Sequence, residues 1–253
     1  MNGGYQSSGY DFRFNATRIT WAVRWLILVN IAAFAAQLAL RPLEALVGNP
    51  GLVLHFLAFQ PSGLYYGQFW QLFTYQFLHG GLMHLTMNML WLFFFGPEVE
   101  RLLGSRQFLY FYVLCGALGV LATLLALALY GEYAIVLGAS GSVMGVLVAF
   151  AMIDPQRQMF LFPIPVPITA LWMVILVAAM NILSGLSGEV SSSVFTHLGG
   201  MAAGYGLMKA IPIYHQWKRD RIRARMGDSS GEHPGDDKIR EEIDNIFKFK
   251  DRR

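Results

Sequence analysis

The feature that decides the fold is a serine flanked by glycines at the start of a short apolar run, Gly138-Ala139-Ser140-Gly141-Ser142-Val143-Met144-Gly145. The run extends from Ser140 to Ile153 and is closed by Asp154 and Pro155. A helix of about 14 residues, at about 1.5 Å per residue, is only about 21 Å long, short of the roughly 30 Å hydrocarbon core of a bilayer. We therefore expect this helix to be surrounded by other helices, with its start recessed below one membrane surface.

The composition indicates a membrane protein with several spans. The chain has 253 residues, of which 55% are hydrophobic and 14% charged, whereas soluble domains carry roughly 25% charged residues. Its apolar residues come in blocks rather than at amphipathic spacing. The chain has one cysteine, Cys115, within an apolar run, so we expect a packing role and neither an intramolecular disulfide nor cysteine metal-ligand spacing.

The apolar blocks predict six spans and an all-α membrane fold. The predicted spans cover residues 19–40, 82–95 (continuing toward Arg101), 108–130, 140–153, 168–186 and 194–211. The connection 41–81 is long, aromatic and interrupted by Pro42, Pro50 and Pro61. It is too apolar for a soluble loop, so we expect it to lie half-buried at the membrane interface, where Trp and Tyr are favoured. Simple packing is the favoured role of this connection, and a lateral lid or substrate platform is the alternative.

The distribution of basic residues orients these spans. With six spans, both termini lie on one side, and of the 19 Lys and Arg residues only Arg41 falls on the other side. The positive-inside rule then makes both termini cytoplasmic. The chain divides into a cytoplasmic segment 1–18, a membrane domain 19–212 and a basic tail 213–253. In the tail, a basic run from Lys218 to Arg225 suits anionic headgroups, and 238–249 is a short amphipathic helix that docks on the membrane or a partner, or is frayed.

Four polar residues fall at one depth in the outer part of the membrane. His84 and Asn88 share one face near the start of the second span, Ser140 begins the fourth span, and His197 lies in the first turns of the sixth. Each residue alone has an ordinary structural explanation. Together they indicate a functional site, because polar groups in a membrane are costly unless they face a bundle interior or a water-filled cavity.

Two pairs of glycines suggest how the serine and histidine helices meet. Gly141 and Gly145 are four residues apart on the fourth span, as are Gly200 and Gly204 on the sixth. Such spacing lets helix backbones approach closely, which could bring Ser140 within hydrogen-bond reach of the histidine. Dimerisation is the alternative role for either pair.

The available chemistry is a two-residue pair. No acid lies in the six apolar runs, and the outer side offers only the loop residues Glu44, Glu132 and Glu189. An ordinary Ser-His-Asp triad is therefore disfavoured, and a Ser140 nucleophile with a His197 base is predicted. The backbone N–H of Ser140, with Asn88 and His84, would supply the oxyanion donors. A metal site built from His79, His84 and His197 is the competing chemistry, without an H-E-x-x-H motif or a nearby carboxylate.

These residues resemble the motifs of bacterial rhomboid intramembrane serine proteases. The resemblance covers about Trp70 to Gly204, and its four motifs occur in order: His79-x4-His84-x3-Asn88, Glu100-Arg101-x2-Gly104-Ser105, the G-x-S-G of Gly138, Ser140 and Gly141, and His197-x2-Gly200-x3-Gly204. It implies a six-helix rhomboid fold, no cofactor, and cleavage of transmembrane proteins near their outer ends. The implied roles are catalytic for Ser140 and His197, oxyanion-stabilising for His84 and Asn88, and structural for Gly138, Gly141, Glu100, Gly200 and Gly204.

Two positions depart from the family pattern. Trp70 is followed by Gln71 where family members often have arginine, so an arginine-based anchor is missing. Met144 stands where an aromatic residue often supports the histidine ring. A thioether can contact a ring favourably, so we expect weaker orientation of His197 rather than loss of catalysis.

The sequence therefore favours a serine endopeptidase of the inner (plasma) membrane, with its active site open to the non-cytoplasmic side. Its partners would be transmembrane substrates and the lipid bilayer, not nucleic acid. The resemblance to rhomboid proteases further implies that the fifth span is a lateral substrate gate. The alternative is a non-catalytic rhomboid-like protein that binds and routes transmembrane clients. Such proteins usually lack the serine or the histidine, and this chain keeps both.

Overall fold

The computed structural model describes residues 19–131, 135–160, 167–186 and 192–227, which are mainly helical. The first part comprises α1 (Trp21–Leu46), three short helices α2 (Leu52–Leu57), α3 (Pro61–Tyr65) and α4 (Gln71–Thr74), and a 3₁₀ turn Tyr75–Phe77. Then come α5 (Leu82–Leu103), α6 (Ser105–Leu121), α7 (Thr123–Tyr130), α8 (Ser140–Ile153), α9 (Ala170–Leu186) and α10 (Ser192–Gly227). Before α9, β1 (Gln158–Phe160) and β2 (Pro167–Thr169) form an antiparallel pair, with Met159 opposite Ile168.

The predicted bounds are right for α8 and wrong for several other helices. The sixth span was expected to end at Pro212, but α10 continues to Gly227 with this proline inside it. Likewise α1 extends through Pro42 to Leu46, and the predicted third span is divided at Ala122 into α6 and α7. A proline removes one helix hydrogen bond, but the helix before it is already formed and each later residue adds a bond of its own. Both helices therefore continue through their proline. The segment 1–18 and the tail helix 238–249 lie outside the described residues.

Two of the described helices are long and apolar enough to cross a membrane, namely α1 and the combined run Ser105–Leu129, and α8 and α9 are shorter apolar helices. The number of six spans stays a prediction.

Helix α8 lies in the centre of the fold, as its short length predicted. It packs against α5, α6, α9 and α10, and every residue from Gly141 to Ala151 is buried except Met144. Beyond its first turn the backbone hydrogen bonds of this helix are satisfied internally. Its buried side chains are apolar except that of Ser142. Its first residue, Ser140, is half-buried.

The connection 41–81 packs against the segment that leads into α8. Phe59 and Val136 exchange two backbone hydrogen bonds of 2.9 Å, and the Gly138 N–H donates to the Tyr75 carbonyl over 3.0 Å. The Ser142 hydroxyl donates to the Gln76 side-chain oxygen over 2.7 Å. These contacts fix where α8 begins. They favour the packing role for this connection, although the side chains of Tyr65, Tyr66, Phe69 and Trp70 are exposed.

The carboxylate of Glu100 caps the start of α1. Its oxygens accept hydrogen bonds of 2.9 Å from the backbone N–H groups of Ala22 and Val23. They also accept hydrogen bonds from the hydroxyl groups of Thr20 and Ser105. The first N–H groups of a helix have no partner within it, and Thr20, at the cap position, makes no capping side-chain bond. Glu100 on α5 thus supplies the missing acceptor, and its negative charge suits a helix N-terminus.

We expect Glu100→Ala to lower the free energy of unfolding by about 2–3 kcal/mol, because two buried N–H groups lose a charged acceptor. The matched control is Glu98→Ala on the same helix, which removes a partly exposed ion pair with Arg157 and should cost less than about 1 kcal/mol. Denaturant unfolding in detergent micelles measures both losses. Equal losses in the two variants would show that the cap does not hold α1.

Candidate active site

Ser140 and His197 face each other across α8 and α10. The Ser140 Oγ lies 2.8 Å from the His197 Nε2, a normal hydrogen-bond distance. Both residues are half-buried. The sequence predicted this pairing from the depth of the two residues, and the described geometry brings them together. A neutral imidazole nitrogen at this distance can accept the hydroxyl proton of a serine.

The pair depends on close backbone contact between α8 and α10. A methyl group added at Gly204 would lie 2.5 Å from the Gly145 carbonyl oxygen, and one added at Gly200 would overlap the carbonyl of Gly141. Gly119 of α6 packs against the same surface, since a methyl there would lie 3.0 Å from the Gly200 nitrogen. The two predicted glycine pairs therefore meet each other within one chain.

His84 lies against the turn that precedes Ser140. A methyl group at Gly138 would lie 2.6–2.7 Å from the Cε1 and Nε2 atoms of His84. Gly138 also has a φ of +120°, which favours glycine. The Gly80 N–H lies 3.4 Å from the His84 Nδ1 and donates to it, so we assign the imidazole proton to Nε2. His84 therefore presents an N–H donor close to the start of α8.

Asn88 is buried one turn after His84 on α5. Its side-chain nitrogen donates to the His84 carbonyl over 2.9 Å. An asparagine amide has two N–H donors, so this bond leaves the second one for another acceptor. The role of Asn88 at an oxyanion stays a prediction.

A residue that the sequence analysis missed, Asn181 of α9, completes the contacts of His197. Its side-chain oxygen lies 2.8 Å from the His197 Nδ1, and its side-chain nitrogen donates to the Val177 carbonyl over 2.8 Å. The available signal was a single amide within the apolar run 168–186. That signal had little weight, because an isolated asparagine can bond to its own helix backbone.

The two departures from the family pattern have local explanations. Gln71 is fully buried and ties the connection 41–81 together: it accepts from the Gln60 N–H over 3.0 Å and donates to the His55 carbonyl over 3.1 Å. An amide thus anchors this connection without an arginine. Met144 is partly buried and packs against the main apolar core. The weaker orientation of His197 expected from Met144 stays a prediction.

Within the described parts of the chain, no three His, Cys, Asp or Glu side chains converge as metal ligands do. His79 is fully buried, and its backbone exchanges two hydrogen bonds with the side chain of Gln37 on α1, of 3.0 and 3.2 Å. Its ring contacts that of His84 edge to face, with the centroids 5.2 Å apart. Cys115 is buried beside Gly145, as its apolar surroundings predicted.

Comparison with known protein families identifies the family of this chain. The Rhomboid domain family matches residues 66–212, which include every motif described above. The chain belongs to the rhomboid family. This family has a helical membrane fold, and many of its members are proteases.

Similar proteins come from bacteria, plants and yeast. Rhomboid protease GluP of Bacillus subtilis is 32% identical over 166 residues, 65% of this chain and 30% of that protein. Rhomboid protein 1, mitochondrial, of Saccharomyces cerevisiae is 36% identical over 150 residues, 55% of this chain and 42% of that protein. RHOMBOID-like protein 4 of Arabidopsis thaliana is 31% identical over 155 residues, 60% of this chain and 37% of that protein. The matched stretch is less than half of each relative, and the spread of organisms does not confirm a bacterial origin.

The glycine contacts generate a test of the site's framework. We expect Gly200→Ala to lower the free energy of unfolding by about 1–3 kcal/mol, because its methyl must push α10 away from the α8 backbone. Gly206→Ala on the same helix is the control: no atom lies within 4 Å of its added methyl, and alanine is the better helix former, so stability should stay equal or rise. Unfolding in detergent micelles compares the two. If both variants are as stable as the parent protein, the close approach of α8 and α10 is wrong.

Proposed function

We propose that this rhomboid-family protein is a serine endopeptidase that cleaves transmembrane segments of membrane proteins. The observation that carries the proposal is the 2.8 Å contact between the Ser140 hydroxyl and the His197 Nε2 at the first turn of α8. Proteases among the relatives support intramembrane proteolysis in general. Ser140 and His197 are the catalytic residues in this proposal.

The reaction is an acyl transfer in two steps. The Ser140 Oγ attacks the carbonyl carbon of the scissile peptide bond while its proton passes to the His197 Nε2. The tetrahedral intermediate collapses as the histidine returns that proton to the leaving amine, and an ester to Ser140 remains. A water molecule, deprotonated by the same nitrogen, then attacks the ester carbonyl. The histidine returns that proton to the Ser140 Oγ as the carboxylic acid product leaves.

The start of α8 suits the negative charge of the tetrahedral intermediate. A helix N-terminus carries unpaired N–H groups and a partial positive charge, and no side chain caps α8. The donors in this proposal are the backbone N–H of Ser140, the Nε2–H of His84, whose ring lies against Gly138, and the second side-chain N–H of Asn88. We assign oxyanion stabilisation to these groups, and removal of one such donor typically costs roughly 3–4 kcal/mol in the transition state.

The same proposal includes the membrane arrangement. Six spans put both termini in the cytoplasm, which agrees with the basic residues and the positive-inside rule. The active site then opens to the non-cytoplasmic side of a plasma membrane, where it meets the outer ends of transmembrane substrates. No cofactor takes part. The chain divides into the segment 1–18, the domain 19–212 and the tail 213–253, with 238–249 available for a partner or the membrane surface.

The alternative is a non-catalytic rhomboid-like protein that binds and routes transmembrane clients. A client-binding protein needs no contact between a serine hydroxyl and an imidazole. The Ser140–His197 distance favours the enzyme, because this contact is the minimum that a serine nucleophile requires.

The test measures cleavage of a labelled transmembrane peptide and labelling by a fluorophosphonate, a probe that reacts with activated serines. We expect the parent protein to cleave and to be labelled, and Ser140→Ala to do neither, because the attacking oxygen is gone. His197→Ala should lose at least about 100-fold in both rates, since general base catalysis contributes about that much.

The control is Ser142→Ala on the same helix, whose hydroxyl bonds to Gln76 rather than to an imidazole. It should retain labelling, because the backbone bonds of Val136 to Phe59 and of Gly138 to Tyr75 still hold the start of α8. Labelling that persists in Ser140→Ala would refute the nucleophile, and undiminished cleavage by His197→Ala would refute the base. A parent protein that binds transmembrane peptides but never cleaves them would support the routing function instead.

A further inference from the structure

We propose that Asn181 of α9 is a positioning residue for His197. The catalytic pair then becomes a chain of hydrogen bonds that runs from Ser140 through His197 to Asn181. This inference rests on the proposed function and adds to it a residue with no counterpart in the motifs of the sequence. Its basis is the 2.8 Å contact between the Asn181 side-chain oxygen and the His197 Nδ1.

The hydrogen bonds fix which atoms donate. For the Ser140 hydroxyl to donate to Nε2, the neutral imidazole must carry its proton on Nδ1. That Nδ1–H requires an acceptor, and the Asn181 oxygen is one. The amide cannot be reversed without cost, because its nitrogen donates to the Val177 carbonyl and a flip would set two oxygens against each other. Val177 therefore orients Asn181, and Asn181 selects the tautomer in which His197 is a base.

This bond also stabilises His197 in the transition state. When His197 takes the serine proton it becomes a cation, and a hydrogen bond to a charged group is stronger than one to a neutral group. The asparagine oxygen therefore holds the ring in place and stabilises its charged form. Asparagine serves as the third residue in the Cys-His-Asn arrangement of papain-like proteases, so an amide is chemically sufficient.

The position of Asn181 makes α9 part of the active site. Among the described side chains of α9, only Ala170 and Met173 are buried, and both lie at its start. Farther along, its apolar side chains are largely exposed, as at Met180, Ile182 and Leu183. The bond from Asn181 connects this exposed part of α9 with the base on α10. Movement of α9 away from α10 by more than about an ångström would break it and release the imidazole.

The experiment compares Asn181→Leu, which removes the acceptor at similar size, with Asn181→Asp, which retains an acceptor oxygen and adds charge. The rate of Ser140 labelling by the fluorophosphonate is measured against pH on protein that elutes as folded in gel filtration. We expect the labelling rate of Asn181→Leu to be about 10- to 100-fold below that of the parent, because this variant loses one hydrogen bond to a charged group. The labelling rate of Asn181→Asp, taken at the plateau of its pH profile, should stay within about 10-fold of the parent rate.

The pH profile separates positioning from simple helix packing. Labelling requires neutral His197, so the rate falls as the pH drops and the ring takes up a proton. Removing the Asn181 oxygen destabilises the charged ring, so the pH of half-maximal rate should move down in Asn181→Leu. A carboxylate stabilises the charged ring, so the pH of half-maximal rate should move up in Asn181→Asp. His84, whose ring lies against Gly138 near the start of α8, is unchanged in both variants.

Ile182→Ala, a truncation at the neighbouring exposed position, is the control and should label within about twofold of the parent. The inference is overturned if Asn181→Leu is labelled at the parent rate. It is also overturned if Asn181→Leu is labelled more slowly but the pH of half-maximal rate is unchanged. If Asn181→Asp does not fold, the rate and profile of Asn181→Leu decide alone. A parent protein that is never labelled refutes the proposed function, whereas a labelled parent with an unaffected Asn181→Leu refutes only the role of Asn181.

Discussion

The close contact of the α8 and α10 backbones is the constraint on which the candidate site depends. Gly141 and Gly145 of α8 face Gly200 and Gly204 of α10, at separations that leave no room for a methyl group. In lipid, helix association relies on such packing because apolar surface gains little by leaving the hydrocarbon. The first glycine of each pair lies one to three residues from the site: Gly141 next to Ser140, and Gly200 after His197. The same contact thus holds the helices together and sets the serine–histidine distance.

Other parts of the structure fix the start of α8 along its own axis. The connection 41–81 forms hydrogen bonds with Val136 and Gly138, which precede this helix, and with Ser142 in its first turn. Gly138 takes a conformation that favours glycine, and the ring of His84 occupies the space where a side chain would lie. A nucleophile that must meet a base within about 3 Å needs a support of this kind on each side. The glycines of the serine motif are therefore explained by space and backbone conformation.

Much of this arrangement could be predicted from the sequence, for identifiable reasons. The bounds of α8 follow from a serine-glycine start and an Asp-Pro end, and the Ser140–His197 contact follows from depth and glycine spacing. The ends of α1 and α10 could not be predicted, because Pro42 and Pro212 suggested helix termini, whereas a helix that is already formed can continue through a proline at the loss of one hydrogen bond. Asn181 was missed because its partner is 16 residues away on another helix and one amide in an apolar run forms no motif. A search for any polar side chain in a predicted span would have found it.

The hydrogen bonds that join Ser140 of α8, His197 of α10 and Asn181 of α9 are tested most directly by nitrogen NMR of protein labelled in its six histidines. The signals of His197 are assigned by their loss in His197→Ala. At neutral pH we expect a protonated Nδ1, which donates to Asn181, and an unprotonated Nε2, which accepts from Ser140. A ring protonated on Nε2 alone would contradict this expectation, since that nitrogen could not then take the serine proton.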